Sequence, residues 1–291
     1  MTMTGGVDQS LGTGNVFGKR PNALAQLLSQ NRPVIMGVLN VTPDSFSDGG
    51  AFGDSQAAVA RARAMAAQGC DIVDLGGEST RPGAAAISLA EELGRIEPVL
   101  TQLAPAFELP ISIDTYKAAV AARAVELGAV LVNDIWGLQK DAAMAEAIAG
   151  AEAAVVVMHN RSEKNAALDI VADMRRFFDR SLALAASAGI PHKRIILDPG
   201  IGFGKTSRQN LEAIARLAEL KDYGLPILVG ASRKSFLGSL MPDRAEASPI
   251  GTLAASLAAA AGGAAIFRVH DVAEHAAGLK VFHAIRSAAA R

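Results

Sequence analysis

The chain has 291 residues, of which 50% are hydrophobic and 4% aromatic, and its formal net charge is -1. The length allows one large domain or two ordinary ones. Acidic and basic residues are nearly balanced, so the chain lacks the basic excess of a nucleic-acid-binding protein. The single cysteine, Cys70, excludes an internal disulfide and fits a reducing compartment. We therefore expect a cytoplasmic protein in which this thiol is a small buried side chain.

Residues 1–20 are rich in Gly, Thr and Ser and lack the apolar stretch of a signal peptide. We expect residues 1–32 to comprise a disordered segment and a short lead-in, with residues 15–31 covering the floor of the domain that follows. The most apolar long window, residues 253–267, is too short for a membrane span and contains two consecutive glycines. We expect neither a membrane nor a nucleic acid as a partner.

From residue 33 onward, short apolar runs alternate with longer amphipathic segments. The apolar runs predict strands at residues 34–39, 71–75, 111–114, 130–133, 154–157, 194–197, 227–229 and 265–269. The longer segments predict helices at residues 55–68, 89–103, 118–127, 169–188, 209–220, 248–261 and 273–289. Strands buried on both faces read as continuous apolar runs, so the sheet is expected to be parallel. Eight such units within residues 33–291 predict a single-domain (β/α)8 TIM barrel, with an open doubly wound sheet as the alternative.

Several residues mark the ends of the predicted helices. Asp54 and Thr115 are expected at N-cap positions, where their side chains would accept hydrogen bonds from free backbone N–H groups. Gly69, Gly128 and Gly189 follow predicted helices and fit C′ positions, which favour a left-handed backbone.

Polar residues follow most of the predicted strands. The loop Asn-Val-Thr-Pro-Asp-Ser-Phe-Ser-Asp-Gly-Gly at residues 40–50 comes directly after the first apolar run. Comparable polar stretches occur at residues 76–83, 114–115, 133–134, 198–205, 232–235 and 268–270. Because α/β proteins place their chemistry past the carboxyl ends of their strands, these stretches predict one shared pocket.

Two carboxylates, Asp114 and Asp198, each end an apolar run and are expected to point into the mouth of the barrel. An isolated aspartate at a strand end would more often cap the next helix or pair with a nearby Arg or Lys. Asn133 ends the strand next to that of Asp114, which shifts the balance towards a binding site. Such a set of hydrogen-bonding groups suits a heteroaromatic ring with several N–H groups along one edge.

Basic residues form a second candidate set, contributed by the second, seventh and eighth β/α units: Arg81, Arg233, Lys234, Arg268 and His270. The seventh and eighth units often build phosphate sites in barrels of this kind. Since these residues follow strands and do not lie on helix faces, an anion site is favoured over a solvated surface. Together with Asn40, they suit a phosphate or a Mg²⁺–phosphate unit.

The glycine-rich stretch at residues 200–206 resembles a nucleotide-binding loop but fails on spacing. The Walker pattern needs a glycine where Pro199 stands, and the Rossmann pattern needs one where Lys205 stands. The glycines would instead allow a sharp turn after Asp198 or the close approach of a flat ligand. His159, after another apolar run, is either a pocket residue or a packed strand-end histidine, and the five histidines show no metal-ligand spacing.

The polar stretches also carry a resemblance to a known family. Seven segments, in order along the chain, resemble signature segments of the dihydropteroate synthases: residues 37–50, 74–83, 112–115, 133–135, 198–205, 230–235 and 268–271. The resemblance extends from about Pro33 to the C-terminus, and the ordered set is highly specific. It implies a (β/α)8 barrel that joins 6-hydroxymethyl-7,8-dihydropterin diphosphate to 4-aminobenzoate, giving 7,8-dihydropteroate and diphosphate in folate biosynthesis. It also implies Mg²⁺ as cofactor, a homodimer and a sulfonamide target.

The same resemblance implies a role for individual residues, with Asp114, Lys234 and Arg268 as the catalytic set. The positions that resemble pterin-binding residues are Asp114, Asn133, Ile135, Met158, Asp198, Phe203, Gly230 and Lys234. The positions that resemble diphosphate-binding residues are Asn40, Thr80, Arg81, Arg268 and His270, with Asn40 as the Mg²⁺ ligand. The positions on the aminobenzoate side are Phe46, Thr80, Arg81, Pro82 and Ser235.

The sequence departs from the family pattern at residues 158–162, where Met-His-Asn replaces the commoner Met-His-Met, and at Gln209, where histidine is common. Both positions lie at the edge of the implied site. Two other functions stay open at this point. One is methyl transfer from methyltetrahydrofolate to a corrinoid, which needs no diphosphate site. The other is pterin binding without catalysis, which loss of Asp44, Thr80 or Arg81 would signal, and all three are present.

Overall fold

The structure is a computed structural model that describes residues 21–42, 50–79, 85–241 and 249–289, without the side chains of residues 21–23 and 50–54. Four residues with predicted roles therefore lie outside the described part, namely Phe46, Thr80, Arg81 and Pro82. The N-terminal segment predicted to be disordered, residues 1–20, also lies outside it.

Eight parallel strands form a single sheet, in the order β6-β5-β4-β3-β2-β1-β8-β7. The strands are β1 (Val34–Asn40), β2 (Ile72–Gly76), β3 (Ile111–Asp114), β4 (Leu131–Asp134), β5 (Ala154–Met158), β6 (Ile195–Asp198), β7 (Leu228–Val229) and β8 (Ile266–Val269). The two edges meet because the Leu197 N–H donates to the Pro226 carbonyl at 2.9 Å and Leu197 bridges Ile227 in parallel. The sheet thus closes into the predicted (β/α)8 barrel, and each predicted strand is confirmed to within one residue at either end.

Helices connect the strands and surround the barrel. They are α1 (Pro21–Ser29), α2 (Gly50–Ala67), α3 (Leu89–Leu103), α4 (Ala118–Glu126), α5 (Met144–Gly150), α6 (Ile170–Ser187), α7 (Ser207–Ala215), α8 (Ser235–Leu240), α9 (Pro249–Gly262) and α10 (Val272–Ala288). The predicted helix at residues 209–220 is α7 followed by 3-10 turns over Leu217–Tyr223. The sequence reading did not predict α1, α5 or α8, which are all short.

The glycine C′ positions are confirmed, since Gly69, Gly128 and Gly189 have φ values of 96°, 107° and 83°. Both N-cap predictions were wrong. Asp54 lies inside α2, which begins four residues earlier. Thr115 precedes the N-cap of α4, and its hydroxyl accepts from the Lys117 N–H at 3.2 Å, which closes a local turn instead.

Alternation along the strands separates two apolar layers. One layer faces the barrel axis and consists of Val34, Met36, Ile72, Leu131, Ala154, Val156, Ile196, Leu228 and Ile266. Leu24 and Leu27 of α1 pack against this layer, so α1 covers the floor of the barrel. The intervening residues, such as Ile35 and Leu39 of β1, face outward and pack with the surrounding helices. Cys70 belongs to this outer core, as expected, and its burial raises the pKa of the thiol to about 11.

The same alternation brings polar residues together at the carboxyl ends of the strands. Every second residue of β1 faces the barrel axis, beginning with Val34 and Met36, and the last of these is Asn40. Its neighbours across successive strands are Gly76, Asp114 and Asn133, which are register partners in that order. One level of the barrel mouth is therefore a row of polar side chains interrupted by a glycine, which leaves room between Asn40 and Asp114.

Candidate active site

A pocket at the barrel mouth brings together residues from six strands and their following loops. Its lining is Asp114, Asn133, Ile135, Met158, Asp198, Ile201, Phe203, Gly230, Lys234 and Arg268. All eight residues that the family resemblance relates to the pterin are in this set, together with the three implied catalytic residues. Ile201 was not singled out from the sequence, because an apolar residue between two glycines carries no chemical signal of its own. The binding roles of these residues stay predictions.

Arg268 is the central cation of the pocket. Its Nε donates to Asp74 Oδ2 and its Nη2 donates to Asp114 Oδ2, both at 2.6 Å. Although burial opposes its charge, the two carboxylates raise the pKa of Arg268. Burial raises the pKa of Asp114 to about 7, against the opposing effect of Arg268 and with a further increase from the nearby charge of Asp74. The three groups form one buried, mutually dependent ion network.

The two strand-end aspartates have structural partners as well as a place in the pocket. Asp114 pairs with Arg268, and Asp198 Oδ1 accepts from the Gly200 N–H at 2.7 Å. Burial raises the pKa of Asp198 to about 6, and the Gly200 hydrogen bond partly offsets this. Buried oxygens are still available, because Asp114 Oδ1 and Asn133 Oδ1 accept no hydrogen bond from the described residues. Buried acceptors without donors are costly, so these two atoms are suited to a ligand that supplies N–H groups.

The loop after β6 turns sharply, which is one of the two roles expected of its glycines. Gly200 has φ +64°, and a Cβ built there would lie 1.9 Å from the His159 carbonyl oxygen. Gly202 has φ +88°, and its Cβ would lie 2.8 Å from Cδ of Lys234. The absence of side chains lets the loop approach β5 and lets Lys234 lie over Phe203, with its Nζ 4.1 Å from the ring centroid.

Lys205, which is buried, stabilises this loop through hydrogen bonds. Its buried Nζ donates to the Gly200 and Phe203 carbonyls at 2.8 and 3.1 Å, and it lies 2.7 Å from Nδ1 of His159. Burial lowers the pKa of Lys205 to about 7 and that of His159 to about 4. A neutral His159 that accepts at Nδ1 carries its proton on Nε2, which faces Asp173 Oδ2 at 3.3 Å. His159 is therefore a packed strand-end histidine, the second of the two readings left open above.

The predicted anion-binding set is less basic than the sequence indicated. Arg233 is half-exposed, pairs with Asp271 at 2.6 Å and does not line the pocket. Burial and then the charge of Arg268 lower the pKa of His270 to about 4, so this side chain is neutral near pH 7. Ser232 Oγ accepts from the His270 backbone N–H and lies 2.9 Å from its Nδ1. A serine proton directed at Nδ1 leaves the ring proton on Nε2, where it can be donated.

Asn40 adjoins the pocket at the end of β1. A Cβ on Gly76 would lie 3.4 Å from Asn40 Oδ1 and 3.8 Å from Asp114 Oδ2, so the glycine keeps open the space between these oxygens. Within the described residues no group of three or more His, Cys, Asp or Glu side chains could hold a metal ion. An ion near Asn40 would need most of its ligands from elsewhere.

A groove of about 540 Å³ continues from the pocket and shares Ile135 and Phe203 with it. Ser235, expected on the aminobenzoate side, lines this groove. Of the two departures from the family pattern, Asn160 lines this groove and Gln209 does not. Asn160 Nδ2 donates to the Ile135 carbonyl at 2.9 Å, whereas Gln209 completes a capping box with Thr206 at the start of α7. Gln209 thus has a structural contact and does not reach the pocket.

Comparison with known proteins is consistent with this geometry. A family model described as "Pterin binding enzyme" matches residues 36–270. Dihydropteroate synthase from Clostridium beijerinckii is 46% identical over 254 residues, which cover 86% of this chain and 93% of the relative. The Escherichia coli dihydropteroate synthase is 42% identical over 267 residues, covering 90% and 94% respectively.

Solved structures give the same result. Dihydropteroate synthase from Clostridium difficile, crystallised in the presence of pteroic acid, has a TM-score of 0.85 and 48% identity, covering 88% of this chain and 97% of that one. The Xanthomonas albilineans enzyme in complex with 7,8-dihydropteroate has a TM-score of 0.80 and 39% identity, covering 88% and 94%. Among the described residues, no helix is long and apolar enough to cross a membrane.

A closed parallel barrel whose mouth gathers buried polar side chains is a common framework for enzymes, and the family model places this chain among the pterin-binding enzymes. The chain belongs to the dihydropteroate synthase family, whose members are transferases.

Proposed function

We propose that this protein condenses 6-hydroxymethyl-7,8-dihydropterin diphosphate with 4-aminobenzoate, giving 7,8-dihydropteroate and diphosphate. The observation that carries the proposal is the barrel-mouth pocket. Two buried acceptors, Asp114 Oδ1 and Asn133 Oδ1, have no donor among the described residues and lie beside two cations, Lys234 and Arg268. A pterin has N–H donors along one edge, and its diphosphate is an anion, so this substrate matches both features.

The pterin ring would bind flat within the pocket. Asp114 and Asn133 would accept from its N–H edge, and Asp198 would approach the ring from β6. Ile201 and Phe203 supply apolar contact for the ring, since both line the same pocket. Lys234 lies over Phe203 and would donate to a ring acceptor while balancing the aspartate charges.

The diphosphate would lie towards β8 and β1. Arg268 contributes its charge there, and His270 contributes an N–H without a charge. Asn40 fits a Mg²⁺ ion that is held mainly by the diphosphate and water, because Mg²⁺ keeps several waters and takes few protein ligands. The bound ion would neutralise the charge that develops on the departing diphosphate. Thr80 and Arg81, the other residues expected here, lie outside the described part of the chain.

Catalysis in this arrangement depends on charge and position. When the C–O bond to the diphosphate breaks, positive charge appears on the methylene carbon and spreads into the pterin ring. The buried carboxylates Asp114 and Asp198 would stabilise that charge, because fixed charges act strongly at a site that excludes water. The aromatic amine of 4-aminobenzoate is already a nucleophile near neutral pH, so its attack needs correct placement and no strong base. Ser235 would hold the acceptor in the adjoining groove.

The experiment that tests this function is an assay of the purified chain with both substrates and Mg²⁺, following dihydropteroate and diphosphate separately. Equal amounts of the two products, formed only when both substrates are present, would support the proposal. Tight pterin binding without product would instead favour a non-catalytic pterin-binding protein. Methyl transfer to a corrinoid would favour the other alternative.

A binding measurement tests the metal without relying on turnover. We expect the pterin diphosphate to raise the melting temperature more with Mg²⁺ than without it, because a ligand stabilises the folded state in proportion to its affinity. Asn40→Ala should remove most of the Mg²⁺-dependent increment and leave the rest. An increment that is unchanged by chelation or by this substitution would contradict the role of Asn40.

We also propose a homodimer that forms through α9 and α10. These two helices pack together, with Leu253 against Gly278. The two helices expose Ile250, Val281 and Ile285, whose relative exposures are 68%, 60% and 66%. Large exposed apolar residues on two packed helices are typical of a protein contact surface. Light scattering on the wild type and on Val281→Asp would test this, and a wild-type monomer at micromolar concentration would contradict it.

A further inference from the structure

We infer that Asp74 sets the hydrogen-bonding polarity of the pocket by holding the Asn133 amide with its oxygen towards the substrate and by fixing the Arg268 fork. Asp74 lies within β2, is fully buried and does not line the pocket. It therefore acts through its neighbours and is a positioning residue for the reaction. The inference rests on the proposed function, because the substrate whose edge is recognised is the pterin.

The contacts of Asp74 connect three strands across the barrel interior. Its Oδ2 accepts from Arg268 Nε at 2.6 Å and from Asn133 Nδ2 at 3.1 Å. Arg268 is on β8 and Asn133 is on β4, each two places away from β2 in the sheet. One carboxylate oxygen thus connects two pocket residues that are distant in the sequence and lie on strands that do not pair with each other.

The chemistry of a carboxylate fixes the orientation of the amide. An ionised carboxylate only accepts hydrogen bonds, so the Asn133 atom that faces Asp74 must be the nitrogen. The amide oxygen then faces the other way, and it is one of the buried acceptors without a donor among the described residues. Asp114 Oδ1 on β3 is another. The β3–β4 wall of the pocket consequently offers acceptors, which suit the N–H edge of a pterin and repel an edge that carries carbonyl oxygens.

The charge of Asp74 has a second consequence for the pocket. Burial has the largest effect on the pKa of Asp114, Arg268 and Lys234 lower that pKa, and Asp74 and Glu92 raise it. Removing the charge at Asp74 removes its repulsion of the Asp114 carboxylate. This change favours the ionised form of Asp114, so the acid limb of its titration should move to lower pH.

The test compares Asp74→Leu with the conservative variant Asp74→Asn. Both partners of Asp74 donate to the same oxygen, Oδ2, so leucine removes the acceptor that orients the Asn133 amide and that receives the Arg268 Nε–H. The Asn133 amide can then turn its NH2 towards the pocket. We expect pterin diphosphate to bind roughly 10- to 100-fold more weakly to Asp74→Leu, as measured by calorimetry, because donor and ligand N–H groups are left unpaired.

The conservative variant should keep much of the affinity. The asparagine oxygen can take the place of Oδ2 and accept from both Arg268 and Asn133, while its NH2 takes the place of Oδ1, which accepts no hydrogen bond from the described residues. We expect Asp74→Asn to bind within about 5-fold of the wild type, because the acceptor is kept and only its charge is lost. Ser112→Ala is the matched control, since Ser112 is the register partner of Asp74, is equally buried and makes no side-chain hydrogen bond within the described residues. This control should bind the pterin as the wild type does.

Three results would overturn the inference: wild-type affinity in Asp74→Leu, equal losses in Asp74→Leu and Asp74→Asn, or a loss in Ser112→Ala as large as that in Asp74→Leu. If Asp74→Leu does not fold, Asp74→Asn still decides the matter, because a loss of roughly tenfold or more in this variant, which keeps the acceptor, would contradict the inference. Failure of the proposed function would give a different observation. In that case the wild-type chain would bind the pterin with the affinities expected here but would form no dihydropteroate.

Discussion

Replacing Asp114 by asparagine isolates the charge that is expected to stabilise the transition state. The change keeps the size of the side chain and one oxygen, but it removes the carboxylate that pairs with Arg268 at 2.6 Å. It also removes the charge of the Oδ1 atom that accepts no hydrogen bond from the described residues. The pocket would retain its shape and lose a negative charge next to the ring that becomes positive.

The size of the effect follows from these contacts. A hydrogen bond to a charged group contributes about 1.5–3 kcal/mol, and a fixed group aimed at transition-state charge contributes about 2.7–4 kcal/mol. Each 1.36 kcal/mol corresponds to a factor of about ten. The transition-state contribution, which is the larger of the two, therefore predicts that kcat/KM falls by roughly 10²–10³-fold. Steady-state assays with saturating 4-aminobenzoate and varied pterin diphosphate would measure it.

Asp134→Asn is a matched control for this experiment. Asp134 is also buried, is next to a pocket residue and ends a strand, but its carboxylate accepts from the Trp136 and Leu138 N–H groups at 2.9 and 2.6 Å. It does not line the pocket. The control should lose about 1–3 kcal/mol of stability, because one N–H is left facing an amide nitrogen, and keep its kcat/KM. Activity of Asp114→Asn within a few-fold of the wild type, or an equal loss in the control, would refute the reasoning.

Three further predictions follow from the pocket and its supporting loop. Burial raises the pKa of Asp114 to about 7, and the reaction needs the ionised form of this side chain. We therefore expect kcat/KM to be constant above pH 7 and to fall as the pH drops below it, and a pH profile that is flat down to pH 5 would contradict this. Lys205→Met should raise the KM for both substrates about tenfold through loosening of the Phe203 loop, with kcat less affected, and unchanged KM values would exclude that role. Gly200→Ala should lower the unfolding free energy by about 3 kcal/mol or more, since its Cβ meets a carbonyl oxygen at 1.9 Å. Gly224→Ala, at φ +65° in open space, should cost only about 1 kcal/mol in the same denaturation experiment.

The strands and the pocket could be predicted because each strand combines an apolar run with a polar end. Because the sheet of such a barrel is buried on both faces, its strands are continuous apolar runs that differ clearly from the amphipathic helices. The polar residue at the carboxyl end of each strand then marks the mouth of the barrel. Asp114, Asn133 and Asp198 were found in this way. The prediction needed no contact information, since the carboxyl ends of parallel strands necessarily lie on the same side of the sheet.

Other features depend on neighbours that are distant in the sequence. Asp74 lies inside an apolar strand, so the sequence does not indicate its role. The role becomes visible only when the structure shows that Asp74 faces the barrel axis and that Arg268 reaches it from β8. The charge of His270 likewise depends on its burial and on Arg268, and Arg233 is diverted from the pocket by Asp271. Short helices such as α5 were missed because seven residues are too few to show a helical period.

The most direct test of the central claim is a crystal structure of this protein with 6-hydroxymethylpterin or its diphosphate. We expect the ring to lie in the barrel-mouth pocket, with ring N–H groups about 3 Å from Asp114 Oδ1 and Asn133 Oδ1. A ring bound outside this pocket, or one that directs its carbonyl edge at these two atoms, would contradict it.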